Sequence, residues 1–376
     1  MLLNRRELTQ LLGILPAAVP LGLAATRVAR AVEPAVILGL DPVDMVRLDA
    51  NENPAGPPQS AVEAITSGAR ASGRYHFEEF GAFSQALAAS EGIKPTEVLF
   101  GVGSGEIIDA ALCAFTSATR PMITGVPTYE VPIAMARSLG RPVIEVPLLP
   151  DYGFPVHVLA EKAAAAGGGM IYLCNPNNPT GTLSPNGDIH WLATNLPPNT
   201  TLVVDEAYLD FTEPGAAESA IRYVRESRNV IVTRTFSKIY GMAGMRVGFG
   251  CAKEELVNAM SPFRDNVVPI LGLRAATAAL GEKATLIPAR RAAMSRSRAE
   301  LCQWLHSNKI KFTESHANFV MIHLEREASA YRADLLRHKV AVGRPFPPLN
   351  RMLRVTLGTD EEMWRFREAF LPLYDA

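Results

Sequence analysis

Cysteine is scarce in this chain: Cys113, Cys174, Cys251 and Cys302 are scattered over 376 residues, with no C-x-x-C pair and no His/Cys cluster. Such spacing argues against both a disulfide framework and a zinc site, and each thiol reads as a small buried side chain. A surplus of positive charge is also missing. With 37 Lys and Arg against 38 Asp and Glu, nothing is left over to neutralise a phosphate backbone, so a nucleic-acid binder is excluded. No apolar run is long and unbroken enough for a secure membrane span, because the stretch from Leu11 to Ala25 is interrupted by Pro16 and Pro20. Repeats and low-complexity tracts are absent, and the 28 glycines and 28 prolines fall at turn positions. What remains is an ordinary globular composition in a chain long enough for a large core or two domains.

The amino terminus stands apart. Asn4-Arg5-Arg6-Glu7-Leu8 precedes the weakly apolar stretch, and Arg27-Val28-Ala29-Arg30-Ala31 follows it. Paired arginines, a modest apolar segment and an A-x-A site resemble a twin-arginine export signal, with residues 1–31 as the signal peptide and a mature chain that works in the periplasm. That route carries proteins already folded.

Beyond it, short continuous apolar runs at Val98–Val102, Met122–Val126, Val143–Val146, Met170–Cys174, Leu202–Val204, Val230–Thr233 and Val247–Gly250 read as buried strands. Helix-length stretches lie between most of them, at Ile107–Thr116, Glu130–Leu139, Val156–Ala166, Ile189–Leu196 and Ala217–Arg225. This alternation predicts an α/β fold whose mostly parallel central sheet has helices on both faces. From about Pro262 the texture changes to a long helical region, Ala275–Asn308, interrupted near Pro288, then strands at Phe319–His323, Val340–Val342 and Leu353–Leu357 and a helix at Glu361–Leu371. That portion reads as a smaller α+β domain. The division is residues 32–58 as a segment joining the small domain, 59–261 as the large domain and 262–376 as the small one.

Five motifs carry chemistry. Gly103-Ser104-Gly105-Glu106 joins a strand to a helix, where free N–H groups and the positive helix end attract an anion. Asn175-Pro176-Asn177-Asn178-Pro179-Thr180-Gly181 fixes an irregular loop at the carboxyl end of a strand, where open α/β sheets bind ligands. Asp205-Glu206-Ala207-Tyr208 ends another buried strand in a carboxylate that can hold a heterocyclic nitrogen protonated. Thr235-Phe236-Ser237-Lys238 sets an amine beside two hydroxyls, and Arg246 follows; hydroxyls and a guanidinium suit a phosphate, and a lysine with a depressed pKa suits a Schiff base. Last, Arg354 on a predicted strand, with Arg344 upstream, can clamp a carboxylate.

These motifs, together with Leu48-Asp49-Ala50-Asn51-Glu52-Asn53-Pro54, closely resemble the histidinol-phosphate aminotransferases of class I/II, over about residues 47–373 and in the same order. The resemblance implies the fold type I architecture of pyridoxal 5'-phosphate enzymes: a large cofactor domain, a small domain built from both chain ends, and a homodimer with its sites at the subunit interface. It implies an amino donor and a 2-oxo acid acceptor as small-molecule partners. Lys238 would carry the cofactor and shuttle the proton, Asp205 would pair with the pyridinium, Asn178 and Tyr208 would bond the ring oxygen, and Tyr129 would stack on the ring. Ser104, Gly105, Glu106, Thr235, Ser237 and Arg246 would form the phosphate end, and Tyr75 would reach the phosphate of the other subunit. Arg354, Arg344 and Asn51 would bind substrate. Departures from the family pattern concentrate on the substrate: no tyrosine lies between Glu33 and Arg47, Tyr75 is followed by His76-Phe77-Glu78, and Arg264-Asp265-Asn266-Val267-Val268-Pro269 replaces an Asn-Val-Asn pattern. The same architecture also supports oxidases, decarboxylases and lyases, which stand as the alternative to transamination.

Overall fold

The computed structural model describes residues 44–374, so the signal reading of residues 1–31 lies outside them. The described chain begins with a short strand, β1 (Val46–Leu48), and two helices, α1 (Gln59–Gly68) and α2 (Phe80–Glu91). The alternating region follows as β2 (Val98–Gly101), α3 (Ser104–Phe115), β3 (Met122–Val126), α4 (Val131–Ser138), β4 (Val143–Pro147) and α5 (Val156–Ala165). It continues through β5 (Gly169–Cys174), α6 (Asn186–Thr194), β6 (Thr200–Asp205), α7 (Ile221–Arg225), β7 (Val230–Thr235) and β8 (Gly248–Ala252). After α8 (Glu254–Met260) come α9 (Ile270–Gly281), α10 (Lys283–Ser307), β9 (Phe319–His323), α11 (Ala328–Arg337), β10 (Val340–Val342), β11 (Met352–Thr356) and α12 (Asp360–Tyr374).

The central sheet has seven strands in the order β2-β8-β7-β6-β5-β3-β4. Every pairing is parallel except the two made by β8, which runs against both β2 and β7. All the other strands therefore end at one edge, and the loops leaving that edge build the site. Each residue of β5 and β6 is buried, because helices cover both sheet faces; this is why those runs are continuously apolar and not alternating.

β1 pairs in parallel with β10 and ties the start of the described chain to its carboxyl-terminal part. Two local expectations change. The long helical region breaks at Glu282 and not at Pro288, which lies within α10. Cys113 and Cys302 are only half-buried, while Cys174 and Cys251 are fully so. β9 and β11 pair antiparallel in a separate two-stranded sheet that carries Arg354. Among the described residues no helix is long and apolar enough to cross a membrane.

Candidate active site

At the carboxyl edge of the sheet lies a cleft of about 350 Å³. Its anion end is built by the turn from β2 into α3. Gly103 sits at φ +82°, which glycine adopts readily, and a Cβ there would lie 2.4 Å from the Arg246 guanidinium. Across it, a Cβ on Gly248 would stand 2.1 Å from the backbone nitrogen of Ser104, so glycine lets β8 press against the helix start. Ser104 and Gly105, in the first turn of α3, line this end of the cleft, where the helix dipole is positive. Thr235 Oγ1 bonds Ser237 Oγ at 2.9 Å, and Arg246 Nη1 reaches the same Ser237 hydroxyl at 3.5 Å. Ser104, Gly105, Thr235, Ser237 and Arg246 thus make one cradle of donors, suited to a phosphate.

In the middle of the cleft, Asp205 ends β6. Its Oδ2 accepts from the Tyr172 hydroxyl at 2.9 Å, and its Oδ1 accepts from Thr233 Oγ1 at 3.1 Å and from the Ala207 amide at 3.2 Å. Burial pushes its carboxyl above the usual range, and those three bonds oppose the rise. The neighbouring Glu206, facing the opposite way as strand periodicity demands, pairs with Arg234 at 2.9 Å away from the cleft. This alternation decides which of two adjacent acids can meet a ligand.

Lys238 faces Asp205 from the loop after β7. Its Nζ donates to the carbonyls of Ala50 and Asn51, at 3.1 and 3.0 Å. Burial, then the charge of Arg354, pushes its pKa down to about 8, so the amine is available near neutrality as a nucleophile and a base. Asn51, in the left-handed region at φ +55°, is pinned by Thr356 and donates to the Tyr208 hydroxyl at 3.0 Å. Asn178 donates to the same hydroxyl at 3.5 Å and accepts from Arg354 Nη1 at 2.7 Å. Tyr129 completes the wall.

Arg354 lies in the buried strand β11. Its Nη2 donates to the Asp49 carbonyl at 2.6 Å, and the guanidinium carbon lies 4.7 Å from the centroid of Phe346. Its buried Nε has no hydrogen-bond partner among the described residues. A carboxylate against that edge would satisfy the orphan donor.

The family model for class I and II aminotransferases matches residues 43–370. This chain belongs to the class I and II aminotransferases. It is 34% identical over 332 residues to histidinol-phosphate aminotransferase 2 of Ralstonia nicotianae, covering 86% of this chain and 87% of that one. To the histidinol-phosphate aminotransferase of Moorella thermoacetica it is 32% identical, covering 87% of this chain and 84% of the relative. The crystal structure of histidinol-phosphate aminotransferase from Sinorhizobium meliloti in complex with pyridoxal-5'-phosphate superposes with a TM-score of 0.85 at 27% identity, over 96% of this chain and 99% of that one. The expected α/β architecture of a fold type I enzyme is therefore the one observed.

In this aminotransferase most of the residues singled out from the sequence line the one cleft, Arg344 and Asn51 included. Two do not. Glu106 turns back toward its own turn: Oε2 accepts from the Val102 amide at 2.6 Å and Oε1 from the Asn266 amide at 3.0 Å, so its side chain braces the helix start and gives nothing to the cradle. A carboxylate pointed at a phosphate would in any case repel it. Tyr75 lies outside the cleft of its own chain and is exposed. Sequence reasoning missed Tyr172 and Glu130. Tyr172 carried a signal, a phenol inside the apolar run of β5, beside the strand that ends in Asp205. Glu130 follows the predicted stacking residue Tyr129 but read only as the start of a helix.

Proposed function

We propose that this aminotransferase, with pyridoxal 5'-phosphate on Lys238, moves an amino group from an amino acid or amino-phosphate donor to a 2-oxo acid. The observation that carries the reading is the convergence of one amine, one buried carboxylate and one phosphate-sized donor cradle in a single cleft. When bound, the cofactor supplies an aldehyde for amines and a ring that draws electrons away from the substrate α-carbon.

The residues divide the remaining work. The cradle from Ser104 to Arg246 anchors the phosphate, and Gly103 and Gly248 leave room for that approach. Asp205 holds the ring nitrogen protonated, while Tyr208 and Asn178 face the ring oxygen and Tyr129 covers the ring. Arg354 takes the substrate carboxylate and so aligns the α-carbon. Lys238 would hold the cofactor and, as the free amine, would take the proton from the substrate α-carbon and return it two atoms along, beyond the substrate nitrogen. With its pKa near 8, it can accept and release that proton close to neutral pH.

The working assembly is a homodimer in which Tyr75 completes the partner's cradle. Support comes from the aromatic surface beside it: Tyr75 stacks on Phe77 at 5.2 Å between centroids, and both are exposed. Residues 59–261 serve as the cofactor domain, and 32–58 together with 262–376 as the smaller one. Residues 1–31 direct export by the twin-arginine route to the periplasm.

Visible absorption of the purified protein tests the reaction. An amino donor should bleach the cofactor band, and a 2-oxo acid should restore it while the matching amino acid forms. Release of carbon dioxide or ammonia without that exchange would replace transamination by decarboxylase or lyase chemistry.

A further inference from the structure

A second cavity of about 210 Å³ abuts the cleft, and Glu130, Arg344 and Phe346 line both. The other charged groups in its wall are Arg137 and Glu145. All four are matched: Arg344 Nη2 pairs with Glu130 Oε1, and Arg137 Nη2 pairs with Glu145 Oε1. The outer cavity is therefore charge-balanced although two guanidiniums face it.

Two arginines contact the ring of Phe346 and have opposite fates. Arg354 lies 4.7 Å and Arg344 4.1 Å from its centroid. The hydrogen-bond partners of Arg354 are neutral acceptors, the Asn178 side chain and the Asp49 carbonyl, and its buried Nε is unused, so its charge is available to an anion. Arg344 is held by the carboxylate of Glu130 and by its own donation to the Pro345 carbonyl at 2.8 Å. A dianionic group entering the outer cavity would have to take Arg344 away from Glu130 and leave that carboxylate beside a new negative charge. An uncharged hydrogen-bonding group meets no such conflict.

Resting on the transaminase reading above, we propose that Glu130 is a specificity-determining residue: by pairing with Arg344 it turns the outer cavity into a site for an uncharged hydrogen-bonding side chain and disfavours donors that end in a phosphate. The favoured donor is an α-amino acid with its carboxylate on Arg354 and a neutral polar side chain toward Glu130 and Arg344. Side-chain exposures of 31% for Glu130 and 40% for Arg344 leave the pair partly screened, so discrimination is graded and not absolute.

The test compares O-phospho-L-homoserine with L-homoserine, which both keep an α-carboxylate for Arg354 and differ only at the end of the side chain, on the full-length holoenzyme. Each is measured as KM where it is turned over, and otherwise as a competitive inhibition constant against the best amino-acid donor. The wild type should bind homoserine at least as well as its phosphate. Glu130→Gln, which keeps the shape and removes the charge, should shift the affinity ratio toward the phosphate by about tenfold or more. Glu130→Gln combined with Arg344→Gln should lose that gain, which separates release of Arg344 from a general loosening of the cavity. A wild type that prefers the phosphate, or a ratio unmoved by Glu130→Gln with neither probe binding included, overturns the proposal. Failure of the transaminase reading looks different: no donor of any class would bleach the cofactor band.

Discussion

The hydroxyl of Tyr172 donates to Oδ2 of Asp205 at 2.9 Å, and both side chains are buried in the middle of the sheet. The bond joins two parallel neighbours, β5 and β6, and it opposes the desolvation that would otherwise drive Asp205 toward its neutral form. Removing it should raise the Asp205 pKa further. Tyr172→Phe is expected to keep the fold and to weaken cofactor affinity most at low pH, because the carboxylate is lost as pH falls through its raised pKa. Equilibrium binding of pyridoxal phosphate to the apoenzyme as a function of pH checks this; an unchanged profile would remove Tyr172 from any part in holding the charge. Asp205→Asn tests the same group directly. It should retain cofactor and lose most turnover, since an amide cannot keep the ring nitrogen protonated, and near-normal turnover would sink the role given to Asp205.

For Lys238 the expected outcome has a covalent signature and a pH signature. Lys238→Ala should abolish transamination and leave the fold intact, and borohydride reduction of the wild type should place the pyridoxyl group on Lys238 alone. Bond formation with the cofactor aldehyde requires the neutral amine. Because the folded pKa is about 8, below the ordinary lysine value of 10.5, the loading rate should rise with pH and level off above about 8. Arg354 is the largest charged contributor to that depression, so Arg354→Gln should move the midpoint upward. A midpoint that stays near 8 in the variant would assign the shift to burial alone.

Arg354→Ala should raise KM for carboxylate substrates by roughly 30-fold to several thousand-fold, in line with the roughly 2–5 kcal/mol lost when one partner of a buried charged pair is truncated. The unused Nε of Arg354 is the donor at stake. Steady-state kinetics with a single amino donor suffice, and an unchanged KM would place the anchor elsewhere in the cleft.

The seven central strands were legible because helices bury both sheet faces, which leaves continuous apolar runs bounded by turn residues. Their direction was not: β8 reads like its neighbours, and only its hydrogen-bond pattern shows that it runs the other way. Loop motifs at the sheet edge were legible for a related reason, since Asn178, Asp205 and Lys238 each follow a strand that ends at the same edge. Glu106 misled because its position in the phosphate turn is right while its rotamer points back to Val102, a choice that depends on Asn266 far along the chain. Glu130 was invisible as a site residue, because its partner Arg344 arrives from a segment after β10 that no local pattern connects to α4.

The proposed homodimer makes a prediction that neither subunit can satisfy alone. Tyr75→Ala should weaken cofactor binding, and Lys238→Ala should be inactive. In a mixed dimer of the two variants one site carries both defects, whereas the other has its native Lys238 and its partner's native Tyr75. Refolding equal amounts of the two variants together, at a cofactor concentration too low to load the Tyr75→Ala homodimer, should therefore restore about a quarter of wild-type activity, as expected for random pairing in a two-fold dimer. No restoration, in a preparation shown to contain mixed dimers, would place Tyr75 outside the partner's site.

The proposed export makes a prediction about location. Arg5 and Arg6 precede a weakly apolar stretch, and Ala29-Arg30-Ala31 places small residues where a signal peptidase cuts, so the mature enzyme should begin near Val32. The phosphate cradle draws Ser104 from the turn after β2, and Ser237 and Arg246 from the connection between β7 and β8, so it exists only after the sheet has formed. Under the proposed export the enzyme would load its cofactor before leaving the cytoplasm, which calls for a route that carries folded proteins. Replacing Arg5 and Arg6 by Lys should leave active, uncleaved enzyme in the cytoplasm, while the native protein is recovered from the periplasm without residues 1–31. Amino-terminal sequencing after cell fractionation decides the matter, and a native protein found in the cytoplasm with those residues intact would refute export.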